Sequence, residues 1–449
     1  MTLSRHASAP ELESPVRERP PGSGLPRLLE GVPANGAMSL KAHLEAHGEP
    51  PTARRRDRRG AAALIDQIEQ AGLGGRGGAG FPTGKKMRTV AAGRGKPIVV
   101  VNATEGEPAS LKDRTLLEML PHLVLDGATL AARAIGADEV ILCVCESASV
   151  ALERAAHAIA EREQLAGRWP RITLSAAPEG YVAGHESALV NHLNGGPAKP
   201  TLSPPMPFER GVRRHPTLVN NAETLAHVAL IARHGARWFR ELGPSDQPGS
   251  ALLTLTGPLS YPGVYEIEHG ASLSSLVDAA GGTTSRVRAA LLGGYAGTWI
   301  DGAALPSLVL SSAHLAQHGA SLGAGVLLLL SESACPVAET ARVTRWLAGQ
   351  SAQQCGPCVH GLDALATTFE QICSGAPPPH AGARIEQLSG LVSRRGACAH
   401  PDGTARFAMS AVETFSEELA DHARHGACDA CPRPSELPLP SRHRIATAG

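Results

Sequence analysis

The chain has no formal net charge, few cysteines and no long apolar run, and each absence excludes a class of protein. Its 42 Lys and Arg residues balance its 42 Asp and Glu residues, so no basic field points to a nucleic-acid partner. No apolar stretch approaches the roughly 18 residues that span a bilayer, so no direct membrane insertion is expected. The N-terminus lacks a continuous apolar segment, so secretion is not expected. Nine cysteines are too few for a disulfide scaffold, and their clustering favours metal chemistry in a reducing cytoplasm.

A glycine-rich segment, LGGRGGAGFPTGKK at residues 73–86, is the most informative stretch that the chain does contain. Glycine permits positive φ angles and close approach to a ligand. Successive backbone N–H groups in such a loop form a concave anion site, and the two lysines can add positive charge for a phosphate. The segment lacks the GK[ST] ending of a Walker loop and the GxGxxG spacing of a dinucleotide fingerprint. It therefore predicts a phosphate-bearing cofactor, with a flexible linker as the alternative.

A second group of polar residues follows a predicted strand. The run PIVVVNA at residues 97–103 is short, β-branched and bounded by polar residues, which predicts a buried parallel strand. Ligands of open α/β sheets bind beyond the carboxyl ends of strands, where Asn102, Thr104, Glu105 and Glu107 would lie. Acidic groups there suit hydroxyl-rich ligands such as ribose or ribityl chains. The alternative is a solvated acidic turn.

Two further segments carry amide and hydroxyl side chains. They are YVAGHESALVNHLNGG at residues 181–196 and HPTLVNNAETL at residues 215–225. Asn220, Asn221 and Thr224 can satisfy the polar edge of a flavin ring. An Asn pair by itself is more often a turn or a helix cap.

Together and in this order, the four segments resemble the NADH- and FMN-binding subunit of respiratory complex I, the 51 kDa or F-type subunit. The same family includes the diaphorase subunits of NAD-linked hydrogenases and formate dehydrogenases. The resemblance runs from about residue 60 to about residue 425, and the glycine loop with its FPTG is highly specific to the family. It implies an FMN phosphate in the loop and a nicotinamide beside the phenylalanine. It implies no general acid or nucleophile, so no catalytic residue is named. The implied FMN and NADH contacts are Gly75, Arg76, Gly77, Gly78, Phe81, Lys86, Asn102, Glu105, Glu107, Tyr181, Glu186, Asn220, Asn221 and Thr224.

The chain departs from the family pattern at three places near the implied nucleotide pocket. The family's NADE is here NATE, with Thr104 in place of an aspartate, and its GEETAL has His185 in place of an acidic residue. Its KPPFP is here SPPMP, with Met206 in place of an aromatic residue. The loss of negative charge should weaken discrimination against a 2′-phosphate. NADPH oxidation and weak nucleotide binding therefore stay open beside NADH oxidation.

The pattern of elements predicts an α/β protein with several parts. Alternating strands and Ala-rich helices indicate a Rossmann-like domain, and a strand, strand, helix, strand order after it indicates a β-grasp module. That module resembles the soluble-ligand-binding domain of the same family, and a C-terminal helical bundle follows it. The expected boundaries are residues 1–35 for a disordered arm, 36–248 for the FMN- and NAD(H)-binding domain, 249–333 for the β-grasp domain, 334–432 for the helical iron–sulfur domain and 433–449 for a disordered tail.

Three cysteines predict a metal centre in the helical part. Cys355 and Cys358 form a CxxC, and Cys398 lies in RRGACAHPDG. Soft thiolates at such spacings suit an iron–sulfur cluster or zinc, and a redox dithiol is a further alternative. In the family, SCGxCxPC and a later cysteine hold a 4Fe–4S cluster. The three cysteines match the second, third and last positions, whereas Ala352 stands at the first. A 4Fe–4S cluster is expected, with a 3Fe–4S cluster as the alternative.

The sequence does not identify the fourth ligand of that cluster. Cys373, His360 and the tail pair Cys428 and Cys431 are candidates. Cys335 is not, because a helix from residue 336 onward would place it roughly 25 Å from the cluster at about 1.5 Å per residue. The tail motif CDACP is a second CxxC, which would complete this cluster, hold a separate metal or form a disulfide.

The resemblance implies an NADH dehydrogenase-type oxidoreductase. NADH, or NADPH, would reduce FMN by hydride transfer, and single electrons would pass through the cluster to a ferredoxin-like or thioredoxin-like iron–sulfur protein. The protein is expected in the cytoplasm, where it would act either alone or as a peripheral part of a membrane complex. Two alternatives are a structural or binding subunit that keeps the fold without turnover, and a flavoprotein with a zinc or dithiol site instead of the cluster.

Overall fold

The computed structural model describes residues 24–51, 58–163 and 170–440. These residues form a four-stranded parallel sheet with helices, a five-stranded mixed sheet and a C-terminal group of helices. Within the described ranges, no helix is both long enough and apolar enough to cross a membrane.

The parallel sheet has the strand order β3-β2-β1-β4. Its strands are β1 (Ile98–Ala103), β2 (Glu139–Cys145), β3 (Arg171–Ala177) and β4 (Thr217–Asn221). The strand predicted at residues 97–103 is confirmed, and it lies between β2 and β4. Val99 and Val101 pack into the apolar core on one face, and Ile98 and Val100 pack into that on the other. Burial on both faces explains why the run is continuously apolar rather than alternating.

Eight helices accompany this sheet in the described residues. They are α1 (Leu40–His47), α2 (Arg58–Ala71), α3 (Thr83–Ala92), α4 (Lys112–Met119), α5 (Pro121–Ile135), α6 (Ser149–Glu163), α7 (Glu186–Leu193) and α8 (Ala222–Phe239). Helices α5 and α8 pack closely because α5 carries Gly127, where a Cβ atom would lie 1.7 Å from the carbonyl oxygen of Leu225. This close approach fixes the start of α8, which carries part of the candidate site.

The mixed sheet has the order β6-β5-β9-β7-β8, with β5 and β9 parallel and the other pairs antiparallel. Its strands are β5 (Ser250–Thr256), β6 (Gly263–Glu268), β7 (Val287–Leu292), β8 (Thr298–Asp301) and β9 (Val326–Ser331). Helix α9 (Leu273–Ala279) follows the second of these strands, and α10 (Ser312–Gln317) precedes the last. Two outer hairpins around a central parallel pair, with a helix between them, make a β-grasp. The predicted β-grasp module is confirmed.

Up to residue 440, where the description ends, five helices follow the mixed sheet. They are α11 (Pro336–Gly349), α12 (Leu362–Cys373), α13 (Ala381–Val392), α14 (His400–Thr414) and α15 (Ser416–His425). A π-helical turn, Pro357–Gly361, precedes α12 and carries Cys358. The helices share a core with the mixed sheet, in which Leu328 of β9 joins Leu347 of α11 and Phe407 of α14.

The predicted disordered N-terminal arm, residues 1–35, falls partly on residues that the structure describes. Its residues 1–23 lie outside the described residues. From residue 24 onward the chain packs against the protein, with Leu28 and Leu29 buried. The buried carboxylate of Glu266 in β6 accepts the N–H groups of Arg27 and Leu28 at 2.7 and 2.8 Å. The prediction of disorder is therefore wrong for residues 24–35, because composition did not reveal this long-range acceptor.

The predicted C-terminal tail is corrected in the same way. Residues 441–449 lie outside the described residues. Before them, Leu437 is buried, and the carboxylate of Glu436 accepts the N–H of Ser331 at 3.0 Å. Residues 433–440 thus run back to the end of β9, and the prediction of disorder is wrong for them.

Candidate functional site

The glycine-rich segment forms a narrow loop between α2 and α3. The N–H of Gly75 donates to the carbonyl of Phe81, and the N–H of Thr83 donates to that of Leu73, both at 2.9 Å. Gly78 and Gly80 have φ angles of 103° and 64°, which residues other than glycine rarely adopt. The loop thus closes on itself directly before α3, and its glycines are needed by the backbone as well as by any ligand.

Arg76 and Thr224 fasten this loop to α8 and to the mixed sheet. The N–H of Arg76 donates to Thr224 Oγ1 at 2.8 Å, and its guanidinium donates to the carbonyl of Ser250 at 2.9 Å. The same guanidinium lies 3.8 Å from the carboxylate of Glu223. Both predicted contact residues therefore position the loop. Phe81 differs, because its side chain is 49% exposed and free to meet a ligand.

The polar ends of β1 and β4 meet at one edge of the parallel sheet. Asn102 pairs in register with Asn221, and Val101 with Asn220. The amide of Asn102 donates to the carbonyl of Gly184 at 2.8 Å. Asn221 caps α8, since its Oδ1 accepts the N–H of Glu223 at 3.0 Å. Asn220 is buried with no hydrogen-bond partner for its Nδ2 atom.

The two acidic residues after β1 have internal partners. Glu105, with a φ of 42°, accepts the N–H groups of Asp113 and Arg114 at 3.0 Å and so caps the start of α4. Burial raises its pKa. Glu107 accepts the N–H of Tyr295 at 2.9 Å, and burial raises its pKa to about 7. The turn is therefore not a solvated one, and ribityl or ribose binding by Glu105 and Glu107 stays a prediction.

Lys86 and Glu186 form a pair beside Asn220. The ammonium group of Lys86 donates to the carbonyl of Val219 at 2.7 Å and to Glu186 Oε2 at 3.0 Å. The second carboxylate oxygen of Glu186 is buried and has no partner. Three of the predicted contact residues thus converge at the carboxyl end of β4.

Tyr181 links this region to the helical part. Its N–H donates to Gln350 Oε1 at 3.0 Å, and its ring meets that of Trp346 edge-on at 5.5 Å. The ring of His400, two residues after Cys398, lies 5.4 Å away. The segment that begins at Tyr181 therefore connects the strand ends with the cysteine region.

Sequence reasoning missed a buried lysine behind the strand ends. Lys112 forms ion pairs with Asp113 at 2.9 Å and with Glu223 at 3.0 Å, and it donates to Asn221 Oδ1 at 3.2 Å. Burial alone would lower the pKa of Lys112, but the two carboxylates outweigh it and raise the pKa. The letters KDR after the second motif were the available signal.

Two of the altered residues near the implied nucleotide pocket are His185 and Met206. His185 caps α7, and its Nδ1 accepts the N–H of Ser187 at 3.3 Å. Burial lowers its pKa, so the imidazole is neutral at neutral pH. Met206 is 38% exposed. Neither residue restores the negative charge that the family has at this pocket.

The three predicted metal-ligating cysteines come together between α11 and α14. The thiol of Cys358 interacts with those of Cys355 and Cys398, and burial raises the pKa of Cys358 to about 12. The backbone of Ala352 lies close to the sulfur of Cys358, so the family's first ligand position is at the same place, buried and without a donor side chain. The residues present thus fit three of the four ligands of a cluster.

None of the cysteines considered as a fourth ligand reaches this place. Cys428 and Cys431 lie beside Cys335 and His422, before the start of α11, and Cys373 contacts Cys431. The 14 residues of α11, about 21 Å of helix, separate that group from residues 351–358. All nine cysteines belong to the described residues, and Cys143 and Cys145 lie in β2. The described chain therefore supplies three thiolates to this centre.

Comparison with known proteins agrees with the geometry. The family model described as Nuo51 FMN-binding domain matches residues 68–230, and that of the NADH-ubiquinone oxidoreductase-F iron-sulfur binding region matches residues 338–422. The F 2 subunit of the NADH-quinone oxidoreductase of Rhizobium meliloti is 32% identical over 378 residues, which cover 81% of this chain and 90% of the relative. The F subunit of the Mycobacterium tuberculosis enzyme is 33% identical over 398 residues, which cover 83% and 87%. The chain belongs to this family of F-type subunits.

A solved structure supports the same conclusion. The crystal structure of an NAD+-reducing [NiFe]-hydrogenase in its H2-reduced state matches with a TM-score of 0.77 and 31% identity over 82% of this chain. The chain spans 64% of that hydrogenase chain. As a member of the F-type family, the chain is an NADH-oxidising subunit that carries FMN and an iron–sulfur cluster and passes electrons to partner subunits. Its unpaired Asn220 amide fits a flavin, and its three clustered thiols fit a cluster with one ligand position altered.

Proposed function

We propose that NADH is oxidised at an FMN site formed by the glycine loop and the carboxyl ends of β1 and β4. Electrons would leave through the centre at Cys355, Cys358 and Cys398 to a ferredoxin-like or thioredoxin-like iron–sulfur protein. The chain would act as an NADH:acceptor oxidoreductase within a cytoplasmic assembly that need not be bound to a membrane complex. Bound FMN would accept two electrons at once from NADH and release them one at a time.

The unpaired amide of Asn220 carries this proposal. A buried polar group normally has a partner, because leaving a donor without one costs about 1–3 kcal/mol. The Nδ2 atom of Asn220 has none, at the strand edge where ligands of open α/β sheets bind. A flavin ring presents carbonyl and ring-nitrogen acceptors along its edge, which suit such a donor.

The surrounding residues would hold and orient the ligands. Lys86 places a positive charge next to Asn220 while it neutralises Glu186. Arg76 and Thr224 keep the glycine loop above the strand ends. The exposed ring of Phe81 offers an apolar face for a nicotinamide.

Contact between the two cofactor regions supports electron transfer over a short path. The ring of Tyr181 contacts Trp346 of α11 and His400, which follows Cys398. The protein thereby fixes the flavin side and the cysteine side to each other. A fold retained only as a structural subunit would not need an unpaired donor and three converging thiols.

Anaerobic purification followed by flavin and iron quantitation tests the proposal. We expect about one FMN per chain and bleaching of the flavin absorbance by NADH. Protein that retains no flavin after reconstitution with FMN would favour the structural-subunit alternative. Flavin without iron, accompanied by zinc at Cys355 and Cys358, would favour the zinc alternative.

The neutral His185 supports a second substrate, NADPH. The imidazole stands where the family carries a carboxylate, so repulsion of a 2′-phosphate is missing there. We expect His185→Glu to lower kcat/KM for NADPH about ten-fold or more and to change that for NADH much less, in line with a charge repulsion of about 1–2 kcal/mol. His185→Gln is the matched neutral control. Equal effects on both nucleotides would remove His185 from the specificity pocket.

A further inference from the structure

A second group of metal-binding side chains lies at the opposite end of α11 from the iron–sulfur centre. Cys335 caps the start of α11, His422 is in the last turn of α15, and Cys428 and Cys431 form the CxxC that follows α15. One donor atom from each of these four residues lies within 4.8 Å of every other. We propose that Cys335, His422, Cys428 and Cys431 bind one structural zinc ion, a second metal centre separate from the iron–sulfur site.

The distances between the donor atoms match the edges of a zinc tetrahedron. Cys431 Sγ lies 3.6 Å from both Cys335 Sγ and Cys428 Sγ. His422 Nε2 lies 3.4 Å from Cys335 Sγ and 3.2 Å from Cys431 Sγ. Zinc bonds of about 2.3 Å to sulfur and about 2.0 Å to nitrogen imply corners about 3.8 Å apart for two sulfurs and about 3.5 Å for sulfur and nitrogen. The four donors are therefore already arranged for the metal.

The imidazole of His422 is oriented as a ligand. Its Nδ1 lies 2.7 Å from the carbonyl oxygen of Glu418, which can only accept a hydrogen bond. Nδ1 must therefore carry the proton, and Nε2 presents its lone pair to the three sulfurs. A carbonyl that fixes the tautomer of a ligating histidine is the usual outer-shell arrangement at zinc sites.

The chemistry of the donor set favours zinc over the alternatives. Three thiols and one imidazole form a closed Cys3His set with no place for water, as in structural zinc sites. The thiols are free, so no disulfide accounts for their proximity. Thiols make weak hydrogen bonds to one another, so this convergence has little to stabilise it without a cation.

The proposed zinc site would fasten the C-terminal segment to the junction of the mixed sheet and the helices. Arg342 of α11 donates to the carbonyls of Cys431 and Arg433 at 2.7 and 2.6 Å. Glu436 then accepts two hydrogen bonds from Ser331, the last residue of β9. Zinc would hold the CxxC turn at the start of this path, and its role is structural rather than in electron transfer.

Elemental analysis and X-ray absorption on the full-length protein test the site. We expect about one zinc per chain in addition to the iron, with three sulfur neighbours at about 2.3 Å and one nitrogen at about 2.0 Å. The proposal is overturned if the anaerobic protein contains no zinc and takes up none when titrated with Zn²⁺ alone. A shell of four sulfurs would also overturn it, because Cys373 would then replace His422.

Variants separate this centre from the iron–sulfur site. Cys428→Ser should lower the zinc content at least five-fold and leave FMN and iron unchanged, whereas Cys355→Ser should lower iron and leave zinc unchanged. Cys145→Ser, which changes a half-buried thiol in β2, is the matched control. Loss of iron in Cys428→Ser with zinc retained would refute the assignment, whatever the outcome for flavin and NADH.

A measurement on the unaltered protein covers the case in which Cys428→Ser does not fold. Removal of zinc by a chelator should speed proteolytic cleavage within residues 426–440 about ten-fold, while cleavage elsewhere stays the same. Re-addition of Zn²⁺ should restore protection. Equal cleavage of these residues with and without zinc would contradict the structural role.

Discussion

Asn220 and Asn221 are neighbours in sequence, yet one is unpaired and the other is fully engaged. The amide of Asn220 is buried at the end of β4 with no partner for Nδ2. The amide of Asn221 donates to Asp113 at 2.5 Å while its oxygen caps α8. Successive side chains of a strand point to opposite faces, so the amide of Asn220 is available to a ligand whereas that of Asn221 stabilises the start of α8.

This difference predicts opposite phenotypes for two alanine variants. Asn220→Ala should weaken FMN binding by about 1–3 kcal/mol and leave the stability of the flavin-free protein unchanged or slightly higher, because it removes an unpaired donor. Asn221→Ala should destabilise the flavin-free protein by about 1 kcal/mol through loss of the cap. Flavin titration and thermal unfolding measure the two effects. Similar flavin affinities for Asn220→Ala and the unaltered protein would contradict the role of Asn220.

Lys86 gives a second test of the flavin site. Its ammonium group joins Val219 and Glu186 next to Asn220, and its removal leaves the Glu186 carboxylate without its cation beside the ligand. We expect Lys86→Ala to lower FMN affinity roughly ten-fold, which equals about 1.4 kcal/mol. Lys85→Ala, at the exposed neighbouring position, should retain full affinity. Unchanged flavin occupancy in Lys86→Ala would exclude Lys86 from the site.

The sequence revealed the strand ends but not the layer behind them. The apolar run before Asn102 predicts a strand buried in a parallel sheet. In that sheet, the register of β1 and β4 places Asn102 beside Asn221. Nothing in the sequence distinguishes Asn220 from Asn221, because two identical adjacent residues do not show which side chain faces the ligand site and which faces the helices. Lys112 was missed because a lysine is almost always exposed unless it is paired, and its partners Asp113 and Glu223 lie on different helices.

The cysteines show a similar limit. The spacing of Cys355, Cys358 and Cys398 predicted one centre. Spacing alone could not assign the tail pair, because chain separation does not tell which end of α11 the tail meets. Packing decides it, since Cys431 lies 3.6 Å from Cys335, the residue that caps the start of that helix.

The histidines near α1 predict a local loss of stability in mild acid. Burial lowers the pKa of His47 and of His122 to about 4. The unfolded chain takes up these protons near pH 6.5, so it binds more protons than the folded protein between pH 6.5 and 4. Stability therefore falls as the pH drops through this window. Since His47 is only half-buried, its share at pH 5 is at most about 1 kcal/mol.

Hydrogen exchange of residues 40–48 measures this effect without unfolding the whole protein. The ratio of protection at pH 7.5 to that at pH 5 should be larger in the unaltered protein than in His47→Gln, by up to about five-fold after correction for intrinsic exchange. The exposed His157→Gln is the control and should behave like the unaltered protein. An identical pH response in His47→Gln would show that His47 does not contribute.

Ala352 offers the most direct test of the altered iron–sulfur centre. Its backbone lies close to the sulfur of Cys358, so we expect a thiol at this position to lie near the three existing ones. We expect Ala352→Cys to slow loss of iron to a chelator roughly ten-fold, because a fourth thiolate closes the ligand set. Ser351→Cys adds a thiol one residue away and should have little effect. If both variants lose iron as fast as the unaltered protein, residue 352 is not a ligand position, and the fourth iron is held by a group other than a side chain at that place.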